Sequence, residues 1–214
     1  MQTSIFVDVK LKIMKKYSLI TLIGSLLAIF LFSCHQKQQE TALNPVAEKL
    51  FNGVKSALNN TEKNTIADSL AFILTSNDKE SPFAFANDSA SWEFPFSAIV
   101  SPLDLNNDGV EELFVSYGNT YTSGNAGGEV ALFAKNGAGN YVSVLSYSGV
   151  LPFALPTSNK GYPDLALGMP GFTFPVYQWN GSKYEQNREI SDDELKKLKT
   201  TETEKLSEQY QEKR

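Results

Sequence analysis

From Pro45 onward the apolar positions recur at helical spacing, with Val46, Leu50, Val54 and Leu58 four residues apart and Phe51 beside them. This stripe predicts an amphipathic helix that Asn44 can N-cap, with Pro45 in the first helical position and Asn59-Asn60 closing it. A second pattern, from about Thr61 to Leu74, puts Ile66, Ala67, Leu70, Ile73 and Leu74 on one face. Residues 44–75 therefore read as a helical pair covering a sheet. Between Trp92 and Tyr184 the character changes to short β-type runs divided by Gly, Pro, Asn and Ser clusters. The clearest runs are Ser97–Ser101, Glu112–Tyr117, Glu129–Ala134, Tyr141–Tyr147, Val150–Leu155, Asp164–Leu167 and Val176–Trp179. Asn136-Gly137 and Asn180-Gly181 mark hairpins, because an Asn-Gly pair supplies the positive φ of a tight turn. An antiparallel meander over 92–185 follows. The remainder, 186–214, reads as a charged helical tail with a capping-box spacing at Ser191–Glu194 and a thin apolar stripe of Leu195, Leu198, Leu206 and Tyr210. That stripe predicts a solvated helix. Helices at the two ends of a meander make the expected class α+β.

The N-terminal segment follows different rules. Lys15 and Lys16 precede an uncharged, mostly apolar run of 14 residues, Leu19 to Phe32. That length suits a signal-peptide core of about 7–15 residues and falls short of the ~20 needed to span a bilayer. The residues Leu31-Phe32-Ser33-Cys34 resemble the lipobox of bacterial lipoproteins. The resemblance implies that residues 1–33 are a leader, with Met14 a candidate for the true start, and that Cys34 becomes the acylated N-terminus. More than one acyl chain is what stable anchoring on a membrane requires. Residues 34–43 are polar and aperiodic, as a tether would be. His35 after the cysteine is not the aspartate associated with inner-membrane retention, so the outer membrane of a bacterial envelope is the expected location.

Apolar residues make up 42% of the chain and charged residues 20%, enough to bury a core. Without residues 1–33 the net charge is −8, which argues against nucleic acid as a partner. Cys34 is the only cysteine, so no internal disulfide can form.

One segment carries a definite chemical signal. In Asp104-Leu105-Asn106-Asn107-Asp108-Gly109-Val110-Glu111-Glu112, oxygen ligands alternate along a loop that Gly109 lets turn sharply. Such oxygens suit a hard cation, Ca²⁺ above all. Asp104, Asn106, Asp108, the Val110 carbonyl and Glu112 form the candidate shell. An EF-hand would place its closing glutamate at the twelfth position, where Val115 stands, so that family is excluded.

A calcium loop that ends at its ninth position and leads straight into a strand resembles the FG-GAP repeat of integrin-type β-propellers, in which the ion is structural. Asn159–Leu165 aligns without gaps on Asn107–Leu113, and Val176–Trp179 with Asn180-Gly181 parallels Val130–Phe133 with Asn136-Gly137. Two blade-like repeats are therefore expected. The second has lost its ligands: Lys160 stands where Asp108 does, and Asp164 remains opposite Glu112. Lys160 is expected to reach the vacated ion position and bond Asp164 or nearby carbonyls. A full propeller is excluded, because a blade takes about 40–45 residues and a ring needs at least four.

Other chemistry is thinly represented. The sole histidine, His35, lies in the tether, so no Ser-His-Asp, Cys-His or histidine-zinc set can be assembled. Glu111 and Glu112 are adjacent on an extended strand and point to opposite faces, so they cannot both line one acid/base site. Two connections remain as candidate binding loops, one with Tyr117 and Tyr121 and one with Phe172 and Phe174, expected at one end of stacked repeats. The resulting expectation is a non-enzymatic, calcium-stabilised envelope lipoprotein that binds a protein or glycan. A carboxylate-dependent hydrolase and an inhibitor of a hydrolase are the alternatives.

Overall fold

A computed structural model describes residues 41–75, 79–168 and 173–214, all within a unit running from Glu40 to Arg214. The expectations for the leader, Cys34, His35 and most of the tether lie outside these residues, as does Phe172. Among the described residues no helix is long and apolar enough to cross a membrane.

The chain is α+β. Helix α1 (Pro45–Leu50) starts as expected, with the Asn44 side chain accepting from the Ala47 amide at 2.7 Å. It stops eight residues short of Leu58. Phe51–Gly53 turn away from the helix, with Gly53 at φ +77°, a conformation that continues no right-handed helix. Helix α2 (Asn60–Leu70) is capped reciprocally by Asn59 and Glu62. It ends at Ala71, φ +53°, and not at Leu74. Phe72–Leu74 instead form strand β1, paired with β2 (Phe83–Phe85), followed by the short helix α3 (Ser89–Glu93). Helical periodicity could not distinguish these fates, because Phe72 is claimed by tertiary packing. Its ring meets those of Phe83, Phe85, Phe96 and Tyr117 at 5.1–5.7 Å.

Two four-stranded antiparallel meanders follow. The first is β3 (Ala98–Leu103), β4 (Glu112–Tyr117), β5 (Glu129–Lys135) and β6 (Tyr141–Ser148), in sequential order, with helix α4 (Thr120–Ser123) between β4 and β5. The second is β7 (Val150–Asn159), β8 (Tyr162–Gly168), β9 (Thr173–Trp179) and β10 (Tyr184–Ser191), again sequential. Strand β10 was not expected; its buried ends, Tyr184 and Ile190, flank a run of exposed polar residues that shows no apolar alternation.

Alternation along each strand sorts the side chains into layers. Leu113, Val115, Ala131 and Phe133 meet the N-terminal helices and the β1–β2 hairpin in one cluster. Phe114, Val130, Leu132 and Ala134 face Leu165, Leu167 and Trp179 of the second sheet. On the far side of the second sheet, Ala166, Val176 and Ile190 are covered by Leu195 of α5 (Asp192–Lys197). Both outer faces are therefore capped by helices, which explains how two blade-like sheets stand without a ring.

The tail does not behave as a solvated helix. After α5, Thr201–Glu202 form a short strand, β11, on β7, and helix α6 (Thr203–Glu212) packs against β3 and β7. Leu206 enters the core between the sheets, and Thr203 and Ser207 are buried. A stripe too thin for an independent helix is sufficient where two sheet edges are at hand.

Candidate functional site

The loop from Asp104 to Glu111 joins β3 to β4, so the end of one strand and the start of the next set its span. Its side chains turn inward. Asp104 accepts from the amides of Asp108 and Gly109, each at 3.0 Å, Asn106 from Asp108 at 3.0 Å, and Asp108 from Val110 at 2.7 Å. Asn107 at φ +59° and Gly109 at φ +84° make the sharp turn. These bonds organise the oxygens of Asp104, Asn106 and Asp108 on one turn. Among the described residues, no three acidic, histidine or cysteine groups are drawn close enough to hold an ion as they stand.

Glu112 is the most constrained member of the set. It is 1% exposed, accepts from the Leu105 amide at 2.8 Å and from the Tyr162 hydroxyl at 2.8 Å, and feels the charges of Asp108 and Asp104. Burial outweighs its two donors and pushes its pKa up to about 7, with the neighbouring aspartates adding to the rise. Among the described residues no lysine or arginine offsets that rise. All four side chains present oxygen, and the buried carboxylate carries an electrostatic deficit that a positive charge would offset, so the donor set fits Ca²⁺ in chemistry.

Glu111, adjacent in sequence, points the other way and does a structural task that sequence reasoning missed. Its carboxylate is bonded by the Ser56 hydroxyl, by the Ala57 amide at 2.8 Å and by Tyr210 of α6. Its carbonyl accepts from the Tyr141 hydroxyl at 2.6 Å. One residue thus holds the N-terminal segment, the first sheet and the last helix. The only trace in the sequence is a second acid beside Glu112.

The aligned loop of the second repeat is built differently. Strand β7 runs to Asn159 and pairs with Tyr162, leaving Lys160 and Gly161 at φ +49° and +89°, a two-residue turn of the type I′ kind. It is the tightest turn of the meander, whereas the Asn136 and Asn180 hairpins are longer and place their positive φ at Gly139 and Gly181. The Lys160 amine reaches neither Asp164 nor an ion position. It bonds the Asn180 carbonyl in the neighbouring hairpin. Asp164, 3% exposed, takes its bonds from the Thr157 hydroxyl at 2.6 Å and Gln178 at 3.2 Å. A strand extended to the turn leaves no loop in which inward oxygens could gather, so the lysine has no ion to replace.

The proposed binding loops separate. Tyr117 is half-buried against Phe72, Phe85 and Phe96. Phe174 packs beside Ile190 and Leu195 on the far face of the second sheet. Tyr121 alone is prominent, 71% exposed and stacked on Phe94 at 4.0 Å. The exposed Trp92 indole also sits in this part of the chain, tied to the Phe85 carbonyl at 2.8 Å.

Sequence reasoning did not foresee a cleft of about 580 Å³ between the two sheets, at the end of β4 opposite the acidic loop. Small residues leave it open: Ser101, Ser116, Gly128 and Gly149 stand where bulky side chains would close the gap. A Cβ on Gly149 would lie 2.3 Å from the Gly168 carbonyl oxygen, so glycine is required where the chain passes from β6 to β7 alongside β8. Compared with protein-family models, curated proteins and solved structures, the chain matches none.

Proposed function

We propose that this chain is a lipid-anchored protein of the bacterial envelope whose calcium-clipped β domain binds a partner, protein or glycan, without catalysing a reaction. The observation that supports a binding role is the placement of the buried carboxylates. Glu111 serves Ser56 and Ala57, Glu112 serves Leu105 and Tyr162, Asp164 serves Thr157 and Gln178, and none of the three lines the cleft. Acid/base hydrolysis of a glycoside needs two carboxyls facing one substrate. Of the carboxylates that do line the cleft, Glu129 accepts from Ser148 and Glu202 pairs with Lys205, and beside them and Glu204 stand serine hydroxyls, glycine backbone and aliphatic walls, a mixture that suits recognition.

In this reading Asp104, Asn106, Asp108, the Val110 carbonyl and Glu112 would hold one Ca²⁺. The ion would supply the countercharge that Glu112 lacks and fix the start of β4. Acyl chains on Cys34 would hold the domain at the outer membrane. A photo-crosslinking amino acid at Ile99 or Tyr121 should give a discrete adduct in the native cell; no adduct from either position would overturn the binding reading. Cys34→Ala should abolish labelling by radioactive palmitate, and equal labelling of mutant and wild type would remove the anchor.

A further inference from the structure

The cleft contains a polar group without an internal role. Ser101 lines the cleft, no side-chain bond ties its hydroxyl elsewhere among the described residues, and that oxygen is not sealed from solvent, so it is available to a molecule in the cleft. Among the described residues, the charged side chains of the lining are Glu129, Glu202 and Glu204, with no lysine or arginine. Glu202 is paired with Lys205 at 2.9 Å, and Glu129 accepts from Ser148 at 2.7 Å, so the surroundings stay acidic on balance. Above the floor stand Ile99 and Val150, large apolar side chains that are 64% and 62% exposed among the described residues.

The backbone adds a third property. Strand β3 is the outer strand of the first sheet. Helix α6 packs along it and Val100–Leu103 are buried, which leaves Ser97–Ile99 accessible beside the cleft. By alternation from Pro102, which has no N–H to give, Ala98 turns its backbone groups to the accessible side. The chain already uses strand addition next door, where β11 joins β7 at Phe153 and Ala154 and then turns into α6. The other outer strand of the second sheet, β10, is guarded by Glu185, Arg188 and Glu189, whereas β3 carries no charge.

We propose that the cleft between the sheets is a docking site for an extended, basic segment of polypeptide, which lies along the accessible Ser97–Ile99 end of β3, covers Ile99 and Val150 and places a lysine or arginine among Glu129, Glu202 and Glu204. Extended peptides recognised in this way gain affinity from main-chain pairing and selectivity from alternate side chains. This inference rests on the binding role proposed above and names the partner's chemistry.

The test uses the full chain in mild detergent and the probe acetyl-Lys-Val-Lys-Val-Lys-Val-amide, with a Glu-for-Lys analogue and an analogue N-methylated at alternate residues. The lysine peptide should bind at least tenfold more tightly than either analogue. Ser101→Leu, which fills the cleft, should weaken binding tenfold or more, and Glu129→Gln threefold to fivefold with a shallower salt dependence. Glu189→Gln on β10 should change nothing. A diazirine at the central valine should label Ser97–Ser101 or Gly149–Phe153 of the wild type, which keeps the proposal testable if Ser101→Leu does not fold. Equal binding of the three peptides, or labelling elsewhere, would overturn it. Chitohexaose bound in the cleft with no peptide binding would also overturn it while leaving the binding role intact. The absence of every ligand from the cleft, together with no adduct from Ile99 or Tyr121 in the cell, would remove both.

Discussion

The two meanders share strand number, order and direction, yet they close their first hairpins by opposite means. Between β3 and β4 runs an acidic loop whose buried Glu112 has its pKa raised to about 7. Between β7 and β8 stands a Lys160-Gly161 turn, and the aligned Asp164 rests on the neutral donors of Thr157 and Gln178. One sheet topology thus accepts two loop chemistries. The first repeat should respond to pH and calcium, and the second to neither. The repeats are also joined across this difference, since Tyr162 of the second bonds Glu112 of the first.

The largest expected effect breaks the first repeat alone. Glu111→Ala would remove the bonds that the half-buried Ser56 hydroxyl and the exposed Ala57 amide give to a buried carboxylate and release Tyr210, at a cost of about 3 kcal/mol, the upper end for hydrogen bonds to a charged group. Urea unfolding measures it. Asp164→Ala, with fewer partners in the second repeat, should cost about half as much.

Next comes pH. The folded pKa of Glu112, about 7, lies above its ordinary value of 4.5, so the folded state favours the protonated form. In calcium-free buffer its contribution to stability is full below about pH 4.5 and is lost as the pH rises through 7. A rise of this size corresponds to roughly 3 kcal/mol. Glu112→Gln should flatten the decline between pH 4.5 and 7. A wild-type profile already flat there would separate Glu112 from this account.

Calcium should act in the same place. At 1 mM ion and a Kd of ~0.1 mM, as for weak extracellular sites, the gain is roughly 1.4 kcal/mol, or a few degrees in Tm. The gain should be larger at pH 7.5 than at pH 5.5, because proton and ion compete for Glu112. Asp108→Ala should abolish it. Identical melting curves with calcium and with chelator would sink the calcium site.

The smallest effect tests the second turn. Lys160→Ala removes an exposed bond to the Asn180 carbonyl and should cost on the order of 0.5 kcal/mol, with the calcium response unchanged. A larger loss, or a changed calcium response, would show that the two turns are coupled.

Local chemistry made much of this molecule legible in advance. Short β-type runs bounded by Gly, Asn and Ser clusters placed β4, β5 and β6 to within a residue at each end, although Leu113, Phe114 and Val115 form a continuous apolar run because both faces of β4 are buried. Asn44 and the Asp104–Gly109 loop were readable because caps and turns are built by residues within a few positions of one another, whereas Asn59, expected to close the first helix, caps the start of the second. What only the tertiary structure decided involves partners distant in the chain. Ile73 fits a helix and a strand equally well, and the packing of Phe72 against Phe83 and Phe96 chose the strand. Glu111 looked like a companion of Glu112 until Ser56 and Tyr210 arrived from opposite ends of the chain. The cleft is set by side chains too small to fill it, and missing volume leaves no periodicity to read: Ser101 and Gly149 become the floor of a site only when two sheets that are separate in sequence stand face to face.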